Sequence, residues 1–312
     1  MRQTTATYGA SVLRFALSFA ALAAVGTSIV LASGGSPTFA GCAVFPADNA
    51  WNRDVSSAPL DPRSDAYVKS IGADENVHPD FGSGKYGDYG IPVTTVPRSQ
   101  RKVPLHFTAY GDESDKGPYP IPLNGVHIEG GGGDGDSHVI VVQKGSCRLY
   151  ELYVAKRSGK GWSADSAAKY DLHSNKLRPA GWTSADAAGL PIFPGLARAD
   201  EAKAGAIRHA LRFTVQRTRA AYVAPARHFA SSSKDPALPP MGQRFRLKAG
   251  YSLSGFHGQA RVILQALKTY GMILADNGSN WYLSGTPDRR WNDDDLDQLK
   301  RVPGSQFEAV RP

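Results

Sequence analysis

Hydrophobic and polar positions follow three rhythms along the chain. Residues 15–32 are almost wholly apolar, with no alternation. From Cys42 to Gly125 the apolar runs are brief, because Pro46, Pro59, Pro62, Pro79, Pro92, Pro97 and Pro104 interrupt them. Proline removes a ladder donor, so only short strands and loops fit between such marks. One short helix is read there, over residues 64–71. The middle of the chain then changes to runs rich in Val, Leu and Tyr, which predict strands over residues 125–129, 138–143 and 148–156. The stretch Gly130-Gly131-Gly132-Gly133-Asp134-Gly135-Asp136 joins the first two, and Lys144-Gly145-Ser146 joins the second pair. An antiparallel meander follows from that order.

Helical periodicity enters later. Residues 200–211 are Ala-rich and begin with Asp200 and Glu201, acids that suit a helix N-terminus. Over residues 259–270, Val262, Ile263, Ala266, Leu267 and Tyr270 form one stripe, and Gly271 is placed to cap it. Asn277-Gly278, between two apolar runs, predicts a hairpin turn because both turn residues need positive φ. Asn292 caps a last short helix that Asp293, Asp294 and Asp295 open and Lys300 and Arg301 close. The expected fold is mainly β with a few packed helices. It is read as a β-sandwich or jelly-roll-like body, or a distorted barrel, in a single domain over residues 41–312.

Composition agrees with that class. Apolar residues make up 41% and charged residues 21% of the 312, which excludes wholesale disorder. Glycine and proline, 33 and 21 residues, add the turns that many short strands require. Residues 1–40 contain no Asp or Glu, and Arg2 and Arg14 precede the apolar run. That order is the pattern of an export signal with a short leader, cleavable after Ala32 or Ala40. A retained membrane anchor and a lipid anchor at Cys42 are the alternatives, the polar stretch from Ser33 to Pro37 speaking against the second. All three put the folded part outside the cytoplasm, and cleavage leaves no stable membrane association. Only Cys42 and Cys147 are present, so an oxidising compartment predicts a disulfide between them. Two cysteines this far apart, with no CxxC or HxxxH spacing, predict no metal, and no cofactor motif is found.

Familiar signatures are missing. The chain has no GxSxG or calcium repeat, and its glycine run follows a strand but opens no helix, as a phosphate loop or dinucleotide fingerprint requires. A net charge of +8 is compatible with polyanions, but the basic residues are scattered and nucleic acid is not expected as a partner. The candidate chemistry surrounds the meander: His127, Glu129, Asp134, Asp136, His138 and Glu151. Outer strands of a three-stranded meander lie about 9.6 Å apart, near the roughly 6.5–9.5 Å between the carboxyls of inverting glycosidases. Glu129 and Glu151 are therefore the expected catalytic pair, with Asp136 and His138 in support. Against this, Glu129 equally suits the backbone amides of the glycine loop, Asp134 and Asp136 suit turns, and Glu151 suits an ion pair with an arginine. A second set, Arg208, Arg212 and His228, suits an acidic substrate group, the two arginines sharing a helical face four residues apart. Trp162 and Trp182 lie in glycine-flanked text where rings often meet sugars. The reading is an exported glycoside hydrolase acting on a poly- or oligosaccharide. The rivals are a polysaccharide lyase and a non-catalytic protein that binds glycans or the cell wall. Oligomeric state is left open.

Overall fold

Val139–Gln143 is an unbroken apolar run, and it folds as a strand buried on both faces. The computed structural model describes residues 1–4, 35–87, 89–133 and 135–311. Residues 5–34, which include most of the segment read as an export signal, and Asp134 lie outside the described residues. Gly34–Pro312 forms one compact unit, to which everything below belongs.

Among the described residues strands dominate, in two main sheets and three small ones, and no sheet closes into a barrel. The four-stranded sheet runs Ser166–Asp171, Arg148–Tyr153, Val139–Gln143 and Val93–Val96 in spatial order. Its two faces feed two separate cores. Ile140 and Val142 join the main cluster, whereas Val139 and Val141 join a second one with Tyr119, Ile121 and Trp162. The six-stranded sheet runs Phe307–Val310, Arg244–Leu247, Met272–Asn277, Leu211–Val215, Tyr282–Ser284 and His78–Asp80. Alternation in Leu211–Val215 buries Leu211, Phe213 and Val215 in the main core and turns Arg212 and Thr214 to the opposite face.

Cys42 and Cys147 are bonded, with Cα atoms 5.5 Å apart. The bridge ties the hairpin of Thr38–Phe39 and Cys42–Ala43 to the turn after Val139–Gln143. Closing a loop of this length removes about 4.7 kcal/mol of chain entropy from the unfolded state in the loop-closure model.

Helices Ser64–Ile71 and Gly258–Thr269 lie where the periodicity places them, and Gly271 follows the second at φ +68°. Asn292 Oδ1 accepts from the amides of Asp294 and Asp295, so its cap also forms. Three expectations are corrected. Residues 125–129 are not a strand; Val93–Val96 occupies the place beside Val139–Gln143 in parallel register. Gly130 and Gly131, at φ +60° and +71°, bend the chain immediately after Glu129. The helix expected over residues 200–211 is only Ala199–Lys203, because Gly205 turns left-handed at φ +84° and Leu211 begins a strand. Arg208 and Arg212 therefore share no helical face. Finally, Met272–Asn277 and Tyr282–Ser284 do not pair with each other across Asn277-Gly278, since Leu211–Val215 lies between them.

Candidate active site

The outward face of the six-stranded sheet carries two rows of polar side chains. Register sets them. Arg212 lies opposite Ser284, which pairs with Asp80; Thr214 lies opposite Tyr282, which pairs with His78. On the other side of Leu211–Val215 a bulge skips Ala275, so Thr214 pairs with Asp276. Without that extra residue Asp276 would point into the core; the bulge turns it to the face of Arg212.

Arg212 is the hub. Its Nε and Nη2 donate to the two oxygens of Asp186, each at 2.8 Å, and Nη1 donates to Ser284 Oγ at 2.7 Å. Nη2 also reaches Asp276 Oδ2 at 3.2 Å. Asp186 is wholly buried, and 21% of the Asp276 side chain is exposed. Burial first, and then the Asp186 carboxylate, pushes Asp276 up to about 7, against Arg212 and the Asn277 amide. Asp276 thus retains a proton near neutrality.

The four-stranded sheet supplies the opposite case. His138 immediately precedes Val139–Gln143 and is buried, with Nδ1 2.5 Å from Glu129 Oε2 and Nε2 2.9 Å from the Ala185 carbonyl. Both ring nitrogens face acceptors, so the ring is held as an imidazolium. Burial works against that charge, but the bond to Glu129 and its charge prevail and raise His138 to about 9. Burial would raise Glu129; the His138 bond and charge, with Arg212 behind them, outweigh it and hold Glu129 below the usual carboxylate range. A quarter of the Glu129 side chain remains exposed. Asp80 senses both Glu129 and Arg212. Desolvation of its carboxyl and the Glu129 charge raise it, opposed by His78 and Arg212.

Glu151, expected as the second catalytic carboxylate, lies elsewhere. It is fully buried and accepts the backbone N–H groups of Ile192 and Phe193 at 2.8–3.0 Å, capping the 3-10 turn Phe193–Gly195. Burial raises it to about 7, against those two amides. Asp136 is exposed, and its charge acts on both His138 and Tyr153. His127 is exposed on the rim of a groove formed with Pro92, Gly130, Gly131 and Pro287. Arg208 is exposed on the loop before Leu211–Val215. His228 Nδ1 lies 2.7 Å from the Ala187 carbonyl, and its other nitrogen is 3.9 Å from Glu113. Trp162 is 3% exposed inside the second core, which corrects its reading as a surface platform. Trp182 is half-buried, 5.6 Å from the Arg178 guanidinium.

Of the expected groups, the structure gathers Glu129, His138 and Arg212, with Asp136 beside them. It adds Asp80, Asp186 and Asp276. Asp80 has no local signal, and Asp276 immediately precedes the Asn277-Gly278 read as a hairpin turn. Among the described residues no group of three or more His, Cys, Asp or Glu is arranged to hold a metal ion. No protein-family model, curated protein or solved structure matches the chain.

Proposed function

We propose that the protein is an exported glycoside hydrolase acting on a poly- or oligosaccharide, with Asp276 and Glu129 as its working carboxyls. One observation carries this reading. Of two partly exposed carboxyls, Asp276 is bonded to Arg212 beside Asp186 and Glu129 to His138, and these surroundings drive them in opposite directions, one up to about 7 and one below the usual carboxylate range. That division is what acid–base cleavage of an acetal requires. Asp276 donates its proton to the departing glycosidic oxygen, and Glu129 takes a proton from the attacking water. His138 holds Glu129 ionised; burial and Asp186 hold the proton on Asp276 against the pull of Arg212.

The lyase reading needs a free cation to neutralise a uronate. Arg212 is already engaged by Asp186, Asp276 and Ser284, so an acidic sugar would have to displace a bound carboxylate. A purely glycan-binding protein has no use for carboxyls divided in this way. Export rests on the basic start, the apolar run and the Cys42–Cys147 bridge, which persists in oxidising compartments.

The test is a glycan panel incubated with the purified protein, read for new reducing ends and for ultraviolet absorbance of unsaturated products. Reducing ends without absorbance are expected. Both signals together would establish a lyase, and neither signal on any glycan would end the enzymatic reading.

A further inference from the structure

Among the described residues only three tyrosines are strongly exposed: Tyr86 at 65%, Tyr89 at 57% and Tyr110 at 49%. A monomer has no structural need to concentrate such rings, and these three connect to the carboxyl cluster through their neighbours. Tyr86 and Tyr89 line a groove of about 540 Å³ together with Asp80 and the stacked pair His78 and Tyr282, whose rings are 4.2 Å apart. Tyr282 is two sheet positions from Asp276, with Thr214 between them. Tyr110 lies outside this groove. Its amide donates to the Asp165 carbonyl, and the Asp165 amide donates to the Tyr153 carbonyl. Tyr153 in turn packs against the His138 ring at 5.6 Å and senses the charge of Asp276. Exposed rings therefore lie along the groove of Asp80 and, separately, two backbone bonds from Tyr153.

The charges along this path are mostly negative. Asp80, Asp293 and Asp297 line the groove with Lys300, which pairs with Asp297 at 2.6 Å; Asp293 is bonded to Ser83, and the Lys85 ammonium lies 4.7 Å from the centre of the Tyr86 ring. At the centre Glu129, Asp186 and Asp276 meet Arg212 and His138, with Asp136 exposed beside them. With Asp276 protonated, the Glu129 and Asp186 charges are balanced by Arg212 and His138, so the net charge of +8 is not expressed where the chemistry lies. An anionic polymer entering here meets cations already engaged by Asp186, Glu129, Asp297 or the Tyr86 ring, whereas hydroxyl groups find carboxylate acceptors and ring faces find tyrosines.

Resting on the hydrolase reading, we infer that the substrate is an uncharged polysaccharide laid across the carboxyl pair, with sugars stacked on Tyr86 and Tyr89 in the groove and on Tyr110 outside it. The experiment uses the full chain carrying Asp276→Asn, so that the polymer survives, in affinity electrophoresis. The gels contain mixed-linkage β-glucan, arabinoxylan or galactomannan as uncharged polymers, alginate or polygalacturonate as anionic ones, and chitosan as a cationic one. Retention by at least one uncharged polymer is expected, with much weaker binding of its disaccharide. Tyr86→Ala with Tyr89→Ala, and separately Tyr110→Ala, should each weaken retention by about tenfold or more at an unchanged melting temperature. Retention by charged polymers alone, by none of the panel, equally by the disaccharide, or without dependence on the tyrosines would overturn the inference. Tyrosine-dependent retention of a polymer that the unmodified protein leaves intact would instead remove the hydrolase reading and preserve the binding path.

Discussion

Asp276 and Asp186 meet at one nitrogen, Nη2 of Arg212, which donates to both carboxyls at 3.2 and 2.8 Å. One cation does not balance two neighbouring carboxylates in a buried setting, so the more exposed Asp276 keeps its proton. The arrangement stores a proton at a fixed position without a metal ligand set or a histidine at that point.

Replacing the carboxyls separates catalytic from structural roles. Asp276→Asn and Glu129→Gln should each reduce turnover by about 10²- to 10⁴-fold, the usual worth of general acid or base assistance. Glu151→Gln should keep turnover and lower stability by about 1.5–3 kcal/mol, because the amide turns an NH₂ group against the N–H groups of Ile192 or Phe193. Turnover and urea unfolding measured on the same three proteins decide it. A Glu151→Gln protein that is stable but inactive would return the chemistry to the buried carboxyl.

The pH dependence of kcat/KM follows from the same groups. Glu129 is held down by His138 and stays ionised through mildly acidic pH. Asp276 loses its proton near 7. The rate should therefore stay level on the acidic side and fall about tenfold per pH unit above roughly 7. A descending limb set by Asp276 should disappear from the residual activity of Asp276→Asn; a limb that persists unchanged belongs to another group.

Folding stability should decline between pH 6.5 and 9. His138 is raised from 6.5 to about 9, so its contribution is complete below 6.5 and is lost as pH rises through 9. The full difference is on the order of 3 kcal/mol. Asp276 and Glu151, also raised, give up their contributions at lower pH, before about 7. Chemical denaturation at half-unit pH steps should therefore give a slope above pH 7 that His138→Asn flattens. An equal slope in both proteins would mean that the His138 ring is neutral.

Ala40 and Gly41 form the turn of the hairpin between Thr38–Phe39 and Cys42–Ala43, at φ +50° and +82°. Phe39 packs on Phe193 with ring centroids 4.9 Å apart. Cleavage after Ala40 would remove that strand and its ring, whereas cleavage after Ala32 leaves both. Mass spectrometry of the exported protein should find Ser33 at the N-terminus. A chain beginning at Gly41 would mean that the hairpin forms only in the precursor.

The chain carried its local instructions openly. Periodicity located the helices Ser64–Ile71 and Gly258–Thr269, an asparagine cap located the last one, and unbroken or alternating apolar runs announced a β-rich body. The Cys42–Cys147 bridge followed from cysteine number and the reading of the first residues, without geometry. Partnership between distant strands was another matter. Glu151 looked catalytic because an acid in an apolar strand is unusual, yet Ile192 and Phe193, some forty residues away, claim it with their amides. Asp276 looked like a turn residue, and only a one-residue bulge against Thr214 turns it toward Arg212. Asp80 enters the site because its strand pairs in parallel with Tyr282–Ser284, two hundred residues later. Helices and caps are fixed by neighbours three or four positions apart, which a sequence displays directly. A site on a sheet is fixed by register, and a slip of one residue moves every side chain to the opposite face. That choice is made by the packing of Leu211, Phe213 and Leu274 into the core, not by any residue near Asp276 along the chain.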